Sequence, residues 1–313
     1  MMNNFTNKIN SIHSIVFFLF TASFSILIYK YKLLQLSSLV CFFLILTIGV
    51  SHGAYDNIKG KSLLKSYNIN HIYIFYLSYI LFGTIVILSW IVAPTISLLI
   101  FLIIASFHFG KEDSQFLIKK SSIINSILFL SKGFLIVAAP LYFNFVETIN
   151  IFKLLLVENE NFYEYLDWIE TKNVLIIIIG ISLLANILLI IQNFRIINIV
   201  LLLDFTSIII LNYFLTPLVA FTLYFCFLHS IRHIVSIANE LNNENFYYGI
   251  KEFIKKALPL SIVTAILFIF SLIIAYNYYE INDAILKIIF IGLASLTFPH
   301  ILLEYLLEKN EKQ

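Results

Sequence analysis

The sequence predicts an all-α fold: a polytopic bundle of about ten transmembrane helices (eight to ten) in a single membrane domain over residues 1–313. Three observations predict it. Hydrophobic residues make up 60% of the chain and charged residues only 12%, against about 25% charged in an ordinary soluble domain. So few charges cannot cover a globule in water, so lipid must cover it. The apolar residues gather into stretches near 20 residues, the length that crosses a bilayer core. The lysines and arginines between those stretches fall mostly on one side.

The first stretch, 12–29, reads as a retained helix and not a signal peptide, because no A-x-A site follows it and the rest of the chain is equally apolar. The second, 33–50, leads into Ser51-His52-Gly53. The third and fourth, 71–93 and 95–110, are separated only by Pro94, and the fifth covers 122–143. An acidic loop from Glu147 to Lys172 follows, with an amphipathic piece at Ile149–Val157 expected at the membrane interface. The next two, 173–192 and 196–215, meet at Arg195, and 218–238 begins after Pro217. A second amphipathic piece, Asn245–Ala257, is expected at the interface before 258–277 and 283–306 close the bundle.

With the N-terminus cytoplasmic, Lys8, Lys59, Lys61, Lys65, Lys111, Lys119, Lys120, Arg195, Lys251, Lys255, Lys256, Lys309 and Lys312 lie inside. Lys30, Lys32, Lys153 and Lys172 then lie outside. This bias predicts a multi-pass protein of the inner (plasma) membrane. The net charge of +2 and the lack of a basic, aromatic-interleaved run exclude nucleic acid as a partner. Cys41 and Cys226, both in apolar stretches, form neither a metal motif nor a disulfide framework.

The chemistry lies in the histidines. His13 and His71, at the starts of the first and third spans, read as interfacial polar side chains. His52, His108, His229, His233 and His300 differ. Each lies in the second half, or just past the end, of an even-numbered span. Even spans run in one direction, so all five lie toward one membrane face. Ionisable groups at such depth are costly and usually functional. His229 and His233, spaced i, i+4, share a helix face and can approach one ion. Imidazole-rich coordination without a ligand cysteine suits Fe, Zn, Cu or Ni better than Mg or Ca.

Depth is uneven. His108 lies about 5 Å from its helix end, and His229 and His300 about 16 and 14 Å from theirs. Helix tilt, or a dip of His52–Gly53 into the bundle, must bring the rings together. Asp56 and Asp113 each follow a histidine–glycine segment and can orient a ligand imidazole through its second nitrogen. Arg232 beside the pair offsets an acid or snorkels outward, and Asp204 is expected to find a partner within the bundle. Phe107, Phe109, Tyr224 and Phe225 surround the histidines in sequence and suit a flat, conjugated, apolar substrate.

Four places together resemble the Brp/Blh family of membrane carotenoid-cleaving oxygenases: His52-Gly53-Ala54-Tyr55-Asp56, Phe107-His108-Phe109-Gly110 with Asp113, His229-Ser230-Ile231-Arg232-His233, and Pro299-His300. They extend from the second span to the last. The resemblance implies β-carotene 15,15'-dioxygenase activity. A non-haem Fe(2+) ion would use O2 to split the central double bond of β-carotene into two all-trans-retinal. It implies His52, His108, His229 and His233 as iron ligands, and His300 as a fifth ligand or a residue supporting them. It also implies a lipid-dissolved substrate and a retinal-binding rhodopsin as product acceptor. Four neutral imidazoles would leave a position for O2 and leave the iron charge uncompensated by protein. A carotenoid is about as long as the hydrocarbon core is thick, about 30 Å, so an internal tunnel, slanted or between helices, is expected.

Rival readings fit less well. A di-iron desaturase or hydroxylase needs several HxxxH and HxxHH boxes, and this chain has one HxxxH and no HH. A histidine-lined metal-ion transporter would use the same residues, but inverted repeats and broken helices are not evident. A retinal-binding protein could use Lys132 or Lys287 for a Schiff base, but would leave the histidines unexplained. A structural membrane protein would need five histidines satisfied in the core.

Overall fold

The computed structural model describes residues 4–31, 37–117, 122–192 and 196–310. Lys32, Lys119, Lys120, Arg195 and Lys312 fall outside the described residues, as does the side chain of His52. The described chain is helical, ordered as α1 (Asn4–Tyr31), α2 (Ser38–Ser66), α3 (Ile72–Val92), α4 (Pro94–Glu112), α5 (Ile123–Phe143), α6 (Phe145–Leu154), α7 (Glu160–Thr171), α8 (Val174–Gln192), α9 (Val200–Phe214), α10 (Pro217–Leu241), α11 (Phe246–Tyr276) and α12 (Ile281–Asn310). Among the described residues nine helices are long and apolar enough to cross a membrane. The seventh predicted span, 196–215, is the shorter α9, preceded by a 3₁₀ turn at Ile196–Ile199. The protein is a multi-pass membrane protein.

Local chemistry sets the boundaries. Pro94 and Pro217 stand at the first positions of α4 and α10, where the missing N–H costs nothing. Ala93 alone connects α3 to α4, and its non-helical backbone (φ −141°, ψ 64°) breaks the helix there. Ser122, Asn159 and Asn245 cap α5, α7 and α11 through their side chains.

Two helices are irregular where they carry chemistry. α2 changes from α to a π segment at Ile45–Gly49, then to 3₁₀ at Val50–Tyr55, before resuming at Asp56. α10 carries a π segment at Tyr224–Ser230. Extra turns of this kind recur at functional sites because they re-aim side chains. In α12, Pro299 sits inside the helix directly before His300.

Three expectations are corrected. Ile149–Val157 is not an interfacial piece. It forms most of α6 and the turn after it, with Ile149, Ile151, Phe152, Leu155 and Val157 buried. The Trp90 indole of α3 donates to the Leu155 carbonyl at 2.8 Å and fixes this turn inside the bundle. Asn245–Ala257 is not a separate piece but the first turns of the 31-residue α11. His13 is turned inward against Phe227 and Arg232, because α1 packs on α9 and α10. His71 is exposed at the start of α3, as expected. The exposed face of α7, with Tyr165 and Trp168, has interfacial character.

α10 is the central helix: 72% of its apolar window is buried, against 11% for the peripheral α11. α4 and α5 cross in backbone contact. A Cβ at Gly110 would strike the Phe129 carbonyl, and one at Gly133 the Ser106 carbonyl. Small residues allow such approach where no hydrophobic force drives helices together in lipid. The crossing places Lys132 of α5 beside the end of α4.

Candidate metal centre

Four helices deliver the site. α2 brings Asp56, α4 brings His108, Glu112 and then Asp113, α10 brings His229 and His233, and α12 brings His300 and Glu304. The His108 ring centroid lies 5.3 Å from that of His229 and 5.2 Å from that of His300, and His233 lies 5.8 Å from His300. All four rings are buried. The structure thus gathers these four, and the backbone of His52 lies on the 3₁₀ segment that leads into Asp56.

Three of the four share one construction. His229 Nδ1 is 3.2 Å from Asp113 Oδ1, His233 Nδ1 is 2.9 Å from Glu112 Oε2, and His300 Nδ1 is 2.9 Å from both Asp56 oxygens. An ionised carboxylate only accepts, so each Nδ1 carries the proton and Nε2 is the nitrogen able to coordinate. A carboxylate on the second nitrogen is the common support of a metal-binding histidine. Asp56 and Asp113 therefore stand where they can orient imidazoles, Asp56 that of His300 on a distant helix.

The carboxylates are held in turn. The Tyr79 hydroxyl donates to Asp56 Oδ2 at 3.0 Å, and the Tyr224 hydroxyl to Asp113 Oδ2 at 2.6 Å. Burial alone would raise the Asp113 carboxyl. The hydrogen bond from His229 and the charges of Arg232 and Lys132 instead hold it well below the usual carboxylate range. Arg232 does not snorkel. Its guanidinium grips Asp204 at 3.0 and 3.2 Å, donates to Ser14 Oγ at 2.8 Å and reaches the Asp113 carbonyl at 3.0 Å. Lys132 donates to the Asp113 carbonyl and to Ser114 Oγ at 3.2 and 2.7 Å, so it is a structural brace.

The electrostatic balance differs from the expectation. Five carboxylates in and around the cluster (Asp56, Glu112, Asp113, Asp204, Glu304) face three cations (Lys59, Lys132, Arg232). With neutral imidazoles the formal excess is two negative charges, the complement of one divalent cation. Uncompensated buried charge is costly. A divalent ion bound among these imidazoles would therefore have its charge met by carboxylates behind them.

The sequence reading missed Glu112 and Glu304. His108, His300 and Glu304 offer donor atoms within 4.8 Å of one another, as do Glu112, His233 and Glu304. A signal for them was present. His52, His108, His229 and His300 are each followed four residues later by another residue of the site: Asp56, Glu112, His233 and Glu304.

A cavity of about 1330 Å³ opens beside His108 and Glu304. Phe82, Ile85, Val86, Trp90, Ile100, Ile104, Phe107 and Phe298 make its apolar wall. It lies between helices, α3, α4 and α12, as expected. It is open along its lipid side, where Phe82, Ile85 and Ile100 are exposed, and so is not an enclosed tunnel. Of the four aromatics expected to meet substrate, only Phe107 lines this cavity. The Phe109 ring packs 4.7 Å from His229, Phe225 stacks on it at 5.8 Å, and Tyr224 is committed to Asp113. Phe109 of α4 faces α10 across the core, and Tyr224 and Phe225 lie on the π segment of α10 and are buried there. Phe109 also lines a pocket of about 90 Å³ on the opposite face of α4.

The family model described as Beta-carotene 15,15'-dioxygenase matches residues 43–308. The chain belongs to this family. Within it, the Beta-carotene 15,15'-dioxygenase of an uncultured marine bacterium, 66A03, is 30% identical over 267 residues, covering 83% of this chain and 90% of that protein. No solved structure matches the chain. Membership makes this family member a carotenoid-cleaving dioxygenase by class, and the matched region contains every histidine of the cluster together with Asp56, Glu112, Asp113 and Glu304.

Proposed function

We propose that the chain cleaves the central 15,15' double bond of β-carotene with O2 and releases two all-trans-retinal. The observation that carries this reading is the meeting of carboxylate-braced imidazoles with a large, lipid-open apolar cavity. Such a cavity exceeds the 300–1,000 Å³ usual for drug-sized ligands, as a C40 chain requires. The donor set fits one ferrous ion held by His108, His229, His233 and His300, with His52 as the further ligand that the resemblance assigns. Imidazole suits iron, copper and zinc, but zinc has no redox chemistry. A ferrous ion, when bound, would supply the electrons that let O2 react with a closed-shell alkene.

The protein's own residues do the rest. Asp113, Glu112 and Asp56 fix the tautomer and aim of three imidazoles. The apolar wall from Phe82 to Phe107 admits the polyene from the bilayer and excludes water. One C=C bond breaks and each of its carbons gains one oxygen atom of O2, so no outside reductant and no general acid or base is needed. Positive-inside bias puts the site toward the cytoplasmic face of the inner membrane, where a retinal-binding rhodopsin could accept the product.

The test is expression in a β-carotene-accumulating bacterial host, with pigments extracted and separated by HPLC. Retinal should appear with the intact chain and be absent with His229→Ala. Longer apocarotenals would keep the class and move the cleavage position. Unchanged β-carotene beside metal-loaded membrane protein would sink the proposed reaction.

A further inference from the structure

Glu304 stands one helical turn beyond His300, on the same face of α12, and is the residue common to both groups of clustered donors. Its Oε1 lies 3.8 Å from His300 Nε2 and its Oε2 lies 4.0 Å from His108 Nδ1. These separations are too long for hydrogen bonds. They suit two donors on one ion, since ligands at about 2.0–2.2 Å from a metal lie no more than about 4.4 Å apart. The other contact of this carboxylate is the Lys59 ammonium, 2.9 Å from Oε1. Glu304 also lines the cavity, as does His108. It is the only carboxylate of the cluster that does so at the level of the rings.

We propose that Glu304 is an anionic ligand of the ion, on the side that faces substrate, and that Lys59 offsets its charge and competes with the ion for it. The proposal rests on the metal reading given above. The contrast with the other acids is geometric. Asp56, Glu112 and Asp113 lie at hydrogen-bond distance behind an imidazole and act through it. Glu304 lies beside the imidazoles at ligand-to-ligand distance. The simpler alternative is a salt bridge with Lys59 that merely ties α12 to α2. The two readings differ in sign once Lys59 is removed. Loss of the ammonium leaves the carboxylate intact and removes a positive charge from beside the ion, so a ligand role predicts tighter metal binding. A salt-bridge role predicts that removing either partner has the same effect.

The experiment is titration of the purified, metal-stripped full chain with Co(II), read by its visible absorption bands, and with Fe(II) under anaerobic conditions. The intact chain should bind one equivalent. Glu304→Gln should weaken binding about 100-fold, the upper end of what even supporting residues cost, and change the Co(II) bands. Lys59→Met should retain the bands and tighten binding about tenfold. Equal weakening in both variants, or an unchanged Kd and spectrum in Glu304→Gln, overturns the proposal while leaving the metal centre standing. If Glu304→Gln does not fold, Glu304→Asp, which retracts the carboxylate, should keep the stoichiometry and shift the bands, and unshifted bands would overturn the ligand role. Failure of the intact chain to bind either ion would overturn the metal reading itself.

Discussion

The wall of the site formed by α10 and the end of α4 is dry and cross-braced, while the wall facing the cavity is looser. On the first, the Arg232–Asp204 pair has side chains 3% and 2% exposed, and both terminal nitrogens of the guanidinium meet oxygens. On the second, the Lys59–Glu304 pair is 18% and 13% exposed, and the Lys111–Glu308 pair more so. His229 and His233 lean on carboxylates at hydrogen-bond distance, whereas the nearest carboxylate to His108 Nδ1 is 4.0 Å away. The difference teaches where precision is needed and where room is needed. On the function proposed above, the imidazoles away from the cavity would be held in place, and the edge that substrate reaches would be the less buried one.

The largest break in this contrast should come from Asp204→Ala. It strands a buried guanidinium, which costs about 3–5 kcal/mol, seen as a lowered unfolding midpoint of the purified protein. Lys59→Met on the looser wall should cost under about 1 kcal/mol by the same assay. Next, Asp113→Asn and Asp56→Asn should each lower metal affinity about 10–100-fold without loss of fold, measured by titration. Smaller still, Ile104→Trp should narrow the cavity and raise KM for β-carotene about tenfold while metal content stays unchanged. Trp168→Ala on the exposed face of α7 should leave stability within about 0.5 kcal/mol and cleavage intact, which pigment analysis would show.

Much of this was legible in the sequence because bilayer physics is severe. Stretches near 20 apolar residues place most helices within a few residues, though α2 runs on to Ser66 and α11 starts at Phe246, and helix parity anticipates the meeting of His108, His229, His233 and His300. Proline at the starts of α4 and α10 marks two tight reversals. What stayed hidden arises from tertiary pairing. The i, i+4 spacing after His108 and His300 hints at Glu112 and Glu304, but nothing local shows which histidines of other helices they turn toward. The uneven histidine depths found no answer in straight helices. The helices depart from straightness at the π segment of α10 and the π and 3₁₀ run of α2, which have no clear sequence mark, and at the proline before His300, which does. The pairing of Arg232 with Asp204 needed α9 and α10 side by side, which loop lengths alone do not fix. Phe109 and Phe225 look like substrate contacts in sequence, but their proximity to His229 is one of packing.

The lipid-side opening between α3, α4 and α12 alters what concentration means for this enzyme. A substrate that enters sideways is counted per lipid and not per litre. In reconstituted vesicles, adding carotenoid-free lipid that fuses with the vesicles should slow turnover at constant total β-carotene. Doubling the water volume should not. Supply would then depend on the crowding of the membrane plane, and a cell could throttle the reaction by making more bilayer.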